Sequence, residues 1–161
     1  MSASGVNIRK RQLARLSAVQ ALYQMDLIES KSKLVVREFK EYWFENAATA
    51  GKITANKQFF ELLVMGVVAE QDAVDAAIRA KLSKTRRLSR MDVILRAIMR
   101  CGTYEILRVF DVPAIVTIDQ YVSLTSDFYE GKEPSFVNAA LDKLAREHRP
   151  AEFGIPAPIA G

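Results

Sequence analysis

From Ile8 to Ile28 small and apolar residues return at helical spacing, with Ala14, Ala18, Ala21, Leu22 and Met25 in one stripe, and this predicts a long first helix. The seven residues before it, Met-Ser-Ala-Ser-Gly-Val-Asn, are small or polar without periodicity and are expected to form a flexible N-terminus. Leu34, Val35, Phe39, Tyr42, Trp43 and Ala47 predict a second helix over Leu34 to Ala48, with Gly51 as a natural stop just beyond it. Thr54 is placed to cap a third, whose core positions are Phe59, Leu62, Leu63, Gly66 and Val67, with Ala69 or Glu70 at the end. Asp72 is placed to cap a fourth, with Ala73, Ala76, Ala77, Ala80 and Leu82 on or near its apolar side. The pattern leaves open whether the third and fourth helices are continuous.

A fifth helix is predicted after Ser89, where Met91, Ile94, Leu95, Ile98, Met99, Gly102 and Ile106 form a wide apolar face and Asp92 and Arg96 make an i,i+4 pair. This is the candidate for the central core helix. Asp111-Val112-Pro113 marks a boundary, because the residue before a proline is pushed out of the helical region while proline itself fits a first turn. The next segment, to about Phe128, opens on the β-branched run Ala-Ile-Val-Thr-Ile, but a lone strand would have no partner in this chain, so a sixth helix is expected. After the Glu130 to Glu133 turn, Pro134 begins a seventh helix with Val137, Ala140, Leu141 and Leu144 as its stripe. The segment after Arg149 holds Pro150, Pro156 and Pro158 and is expected to be irregular. The class is therefore all-α. The expected organisation is one helical domain over residues 8–149, with helices one to three and four to seven as two subdomains, followed by an irregular tail over 150–161.

Composition supports a folded domain: of 161 residues, 50% are hydrophobic and 26% charged, which is close to the globular average. No apolar run approaches the length of a membrane span, and no secretory leader opens the chain, so a cytoplasmic location is expected. The single cysteine, Cys101, excludes an internal disulfide, and with the single histidine, His148, it leaves no zinc-type cluster. No phosphate-cradling glycine loop and no acid/base pair stands out. Neither an enzymatic activity nor a cofactor is expected.

The net charge of +4 is modest, so its distribution is the informative feature. Arg9, Lys10, Arg11 and Arg15 precede the first acid, Asp26. Arg11 and Arg15 lie four apart on one side of the first helix, a strip suited to a phosphate backbone. Charge alone favours the plainer reading of a solvated helix end. Gln20, Tyr23 and Gln24 add groups able to hydrogen-bond or stack on unpaired bases, although a Tyr at this spacing is more often a core or boundary residue. Phe136 falls about 100° round the helix from Val137, near Lys132, where it serves either as a stacking platform or in ordinary packing. The neighbouring Asn138 reads as a backbone cap ahead of an RNA contact. A second block, Arg79, Lys81, Lys84, Arg86, Arg87 and Arg90, has no acid between Asp75 and Asp92 and reads first as a solvated face, second as a further phosphate contact.

Four ordered segments carry a resemblance. Ala14 to Leu27 (ARLSAVQALYQMDL) after a basic start, then LRAIMRCGTYEIL from Leu95, DVPAIVTIDQYV from Asp111 and FVNAALDKLA from Phe136 are similar in order and spacing to the NusB family, over about residues 8–147. The resemblance implies a seven-helix protein that binds the single-stranded boxA element of ribosomal RNA leaders and pairs with NusE, a small-subunit ribosomal protein. Through them it would join an antitermination complex on RNA polymerase. Carried over by position, it implies Arg9, Lys10, Arg11, Arg15, Gln20, Tyr23, Lys132 and Phe136 as RNA-side residues, and helices four to six as the NusE side. Two departures stand out. Ser135 and Lys132 occupy positions where relatives often carry a lysine and an acidic turn, and Gln12 and Leu13 replace further basic residues near the start. Two other readings stay open: a protein-binding scaffold whose RNA face is degenerate or covered by homodimerisation, and a detached RNA-binding module of a ribosomal RNA methyltransferase.

Overall fold

A computed structural model describes residues 3–156, which are helical between short connections and include no strand. The first helix, α1, is Ala3–Ile28, beginning five residues ahead of the predicted Ile8. Once a helix is nucleated, each added residue gains one backbone hydrogen bond, so residues without an apolar stripe can extend it. It stops at Glu29, a non-glycine residue at φ 50°.

The second helical run, α2, has three parts: Ser32–Glu38 is α-helical, Phe39–Trp43 is a π turn and Phe44–Thr49 is α-helical again. The π turn is closed by the Phe44 N–H donating to the Phe39 carbonyl, five residues back. In an unbroken α-helix two residues five apart point about 140° away from each other. The wider turn brings Phe39 and Phe44 to the same face, where both are buried. It also leaves Tyr42 and Trp43 outward, 55% and 52% exposed, although both are among the residues that predicted this helix.

Helix α3 is Lys57–Ala69, capped by Asn56, whose side chain accepts from the Phe59 N–H at 2.9 Å. Thr54 is not the cap; Asn56 has the extended backbone and the short acceptor that the position demands. Phe59, Leu63 and Val67 are buried as the spacing predicts, together with Phe60 and Val64, whereas Leu62 faces out. The helix breaks at Glu70, and α4 follows as Gln71–Lys81, with Asp72 inside its first turn and not at its cap. Val74, Asp75 and Ile78 form the buried side of α4, while Ala73, Ala76 and Ala80 are exposed.

The chain divides between Gln71 and Asp72 into two compact units. In the first, α1 and α2 each pack on α3 and also meet each other. Phe39 stacks on Phe60 at 5.3 Å between ring centroids, and Phe44 meets Phe60 edge-on at 5.1 Å. Such pairs contribute about 0.5–1.5 kcal/mol beyond their burial.

The second unit is built on α5 (Val93–Arg108), α6 (Ala114–Phe128) and α7 (Glu133–His148), which pack pairwise. The β-branched opening of α6 is helical, and Pro134 sits in the first turn of α7, both as expected. Helix α5 is buried round most of its girth, from Leu95 through Ile106. Its start is Val93, preceded by Asp92; Ser89 lies in a separate 3-10 turn, Leu88–Arg90. Gly102 permits a close crossing of α5 and α7, since a Cβ there would fall 2.9 Å from Leu141 Cδ1.

Two buried ionic groups fasten this unit. Arg100 donates to both carboxylate oxygens of Asp75, at 2.9 and 3.0 Å, which ties α4 to α5. Arg149, only 5% exposed, donates to the carbonyls of Ile106 (2.9 Å), Val112 (2.8 Å), Glu105 (3.2 Å) and Val109. The Ile106, Val109 and Val112 carbonyls are acceptors that the end of α5 and the following loop leave unmatched, while the Glu105 carbonyl also takes the Val109 N–H at 2.9 Å; a cation at a helix C-terminus also suits the helix dipole. The segment after Arg149 opens as a 3-10 turn, Pro150–Phe153, where wholly irregular chain was expected.

Candidate nucleic-acid interface

In the first unit the candidate residues all stand on α1, in two differently oriented sets. Arg9 is exposed, its guanidinium donating to Gln12 Oε1 at 3.4 Å. Lys10 is half-buried, and its carbonyl accepts the Asn56 N–H at 3.0 Å, which fixes this part of α1 against the start of α3. Arg11 and Arg15 do share a side of the helix, but that side faces Phe59. Their guanidinium carbons lie 4.5 and 5.1 Å from its ring centroid.

Arg11 stays half-exposed along its length, whereas Arg15 is 4% exposed. The expectation that Arg15 offers a phosphate contact is therefore corrected. A guanidinium removed from water is held by its protein neighbours and cannot turn outward without abandoning them. Four residues of spacing specify that two side chains share a face and are silent about whether that face meets solvent or α3.

Gln20 is exposed and Tyr23 half-buried, and both border an apolar groove of about 620 Å³ with Leu13, Leu16, Leu27 and Trp43. Tyr42 and Trp43 meet edge-on at 5.0 Å. The sequence used these two rings only as evidence for the second helix; their outward face follows from the π turn, which apolar spacing does not announce.

In the second unit, Lys132 is exposed and immediately precedes α7, its carbonyl accepting the Phe136 N–H at 3.0 Å. Phe136 is half-buried, and the guanidinium of Arg86 lies over its ring at 4.0 Å from the centroid. Arg86 is a residue the sequence reading set aside with its basic block as solvated; the signal present was the acid-free run from Arg79 to Arg90. Asn138 is exposed.

Close to this run, Asp92 accepts a hydrogen bond from the Tyr129 hydroxyl. Burial, and then donation to Asp92, push the Tyr129 hydroxyl well above the ordinary tyrosine range. A folded value raised above the unfolded one means that this bond contributes fully below the ordinary tyrosine value and fades as pH climbs into the strongly alkaline range. At the far end of α4, Lys81 donates to Glu147 and lowers the latter's carboxyl below its usual range.

Among the described residues there is no group of three or more His, Cys, Asp or Glu side chains arranged to hold a metal, and no helix long and apolar enough to cross a membrane. Cys101 is fully buried, and burial followed by the nearby Glu105 raises its thiol far above the ordinary range. A thiol so held is a packing group.

The family model described as NusB family matches residues 12–146. A transcription antitermination protein NusB from Maricaulis maris is 49% identical over 146 residues, covering 90% of this chain and 91% of that protein. Among solved structures, NusB from T. maritima superposes with a TM-score of 0.74 at 26% identity, over 90% of this chain and 97% of its own. A chain from a crystal structure of the antitermination factors NusB and NusE in complex with double-stranded RNA superposes with a TM-score of 0.69 over 86% and 98% of the two chains; at 22% identity it shares the fold.

Proposed function

This chain belongs to the NusB family, and from that premise we propose that it is a transcription antitermination factor that acts by binding RNA and a protein partner. The observation that carries the reading is the 49% identity to a NusB protein over nine-tenths of the chain. The finer assignment is single-stranded boxA RNA of ribosomal RNA leaders, with NusE as partner and the RNA polymerase antitermination complex as destination, in the cytoplasm. Arg9, Lys10 and Arg11 at the head of α1 supply sequence-independent attraction for phosphates. Gln20, Tyr23 and Phe136 supply amide and ring surface for unpaired bases, and Lys132 supplies a further cation. Arg15 is not included, because its guanidinium is committed to the interior. The reading asks only for binding, with no bond made or broken.

A fluorescence titration of the full chain on a labelled boxA oligoribonucleotide tests it. An Arg9→Gln, Lys10→Gln, Phe136→Ala variant is expected to bind at least about tenfold more weakly, since loss of one base-stacking ring removes about 1–3 kcal/mol. Wild-type affinity in that variant would sink the residue assignment, and absence of binding by the unaltered chain would sink the RNA reading itself. Sedimentation of the free chain separates this reading from a homodimer with a covered RNA face.

A further inference from the structure

We propose that Lys84, Arg86, Arg87 and Arg90, with Arg79 behind them, form a second phosphate-binding ridge for the RNA, and that Arg86 positions the Phe136 ring as a base-stacking platform. The proposal rests on the RNA-binding reading above and goes beyond it, because none of these five cations is among the residues to which that reading gives an RNA contact.

The ridge is unusual in its electrostatics. Arg79, Lys84, Arg86, Arg87 and Arg90 are all exposed, and among the described residues none of them has a carboxylate within ion-pair distance. Lys81, the other cation of the block, is already matched by Glu147. The acid nearest in the chain, Asp92, accepts the Tyr129 hydroxyl and shares a depression of about 290 Å³ with Arg86, Arg87 and Arg90. A second depression, of about 490 Å³, lies among Arg79, Lys84, Arg86 and Arg87. Like charges set round concave surface repel one another, and an anion entering the concavity relieves that repulsion. Four of the five are arginines, whose planar forks match phosphate oxygens two at a time.

A solvated face would need no aromatic partner. Here the Arg86 guanidinium carbon lies over the Phe136 ring at 4.0 Å from its centroid, so the cationic loop and the candidate stacking ring are one arrangement. With one ring face held by a guanidinium, the half-buried phenyl has a fixed orientation and can take a base only on its remaining exposed surface. A polyanion with exposed bases satisfies both features at once; an acidic protein segment satisfies only the first.

The experiment titrates the full chain with single-stranded boxA RNA and with an unrelated RNA of equal length, at several salt concentrations. The variants are Arg86→Gln/Arg87→Gln/Arg90→Gln, the single Arg86→Lys, and Arg9→Gln/Lys10→Gln as a reference, each checked by thermal unfolding. The triple variant is expected to bind both RNAs at least about tenfold more weakly and to lower the slope of log affinity against log salt by about 2, near 0.7 for each lost single-strand contact. Arg86→Lys keeps the charge but not the flat group, so it should keep the slope while weakening boxA binding several-fold. If the reference variant weakens binding and the triple variant does not, RNA binding stands and the ridge is overturned. Loss of NusE binding with normal RNA titration would assign the loop to a protein and likewise overturn it. An Arg86→Lys chain indistinguishable from wild type would overturn the positioning role, and no binding by the wild-type chain would remove both readings together.

Discussion

Arg11 and Arg15 show how closely the fate of two like residues depends on a few ångströms of burial. Both guanidinium groups approach Phe59, yet only Arg15 is withdrawn from water. Arg15→Met is therefore expected to lower stability by about 1–2 kcal/mol in denaturant unfolding, through loss of a desolvated cation–ring contact. The RNA affinity of its folded fraction should stay within about twofold of wild type. A large affinity loss without destabilisation would show that Arg15 reaches the ligand after all. Arg149 is the stronger case. Arg149→Ala leaves the Ile106, Val109 and Val112 carbonyls without their guanidinium donor and is expected to destabilise the chain by about 2–4 kcal/mol, read from the shift in the urea midpoint.

At the scale of elements, two local irregularities do definite work. Glu29 ends α1 in the left-handed region, a conformation that a side chain disfavours by about 1–2 kcal/mol and glycine adopts freely. Glu29→Gly should raise the melting temperature by a few degrees, since a gain of about 0.5–1 kcal/mol remains after the added freedom of the unfolded chain is counted. The π turn of α2 accommodates one residue more than an α-helix would. Deleting the exposed Glu41 brings Phe39 and Phe44 to an i,i+4 spacing that still serves the same core. That deletion is expected to leave a folded chain within about 1 kcal/mol of wild type, whereas collapse of the circular-dichroism signal would show that the wider turn itself is required.

For the whole molecule, stability has to come from packing and a few buried ionic fastenings, because the lone cysteine forms no disulfide. Cys101 also offers a way to watch that stability. Its thiol is buried and held far from ionisation, so alkylation at neutral pH should wait on opening of the second unit and be slowed by the fraction of time that unit is unfolded. Rapid labelling of the native chain would mean that α5 is exposed by local opening. The two units carry different kinds of candidate surface. The first presents Arg9, Lys10 and a groove edged by Gln20 and Tyr23; the second presents a run of exposed arginines, of which Arg86 lies over the Phe136 ring.

The sequence by itself determined the helical class, seven helical segments, the boundary at Pro113 and the apolar faces of α5 and α7, because those depend on periodicity and on backbone chemistry local to a few residues. It also carried the family, in four ordered segments. Tertiary structure alone decided that Arg15 is interior, that Trp43 faces outward, that Asn56 displaces Thr54 as a cap, and that Arg86 meets Phe136 across 50 residues of chain. The physical reason is common to these cases. Spacing along a helix gives the relative direction of side chains, but what each direction faces is set by neighbours distant in sequence, and for a charged or aromatic group that neighbour decides whether it packs or binds.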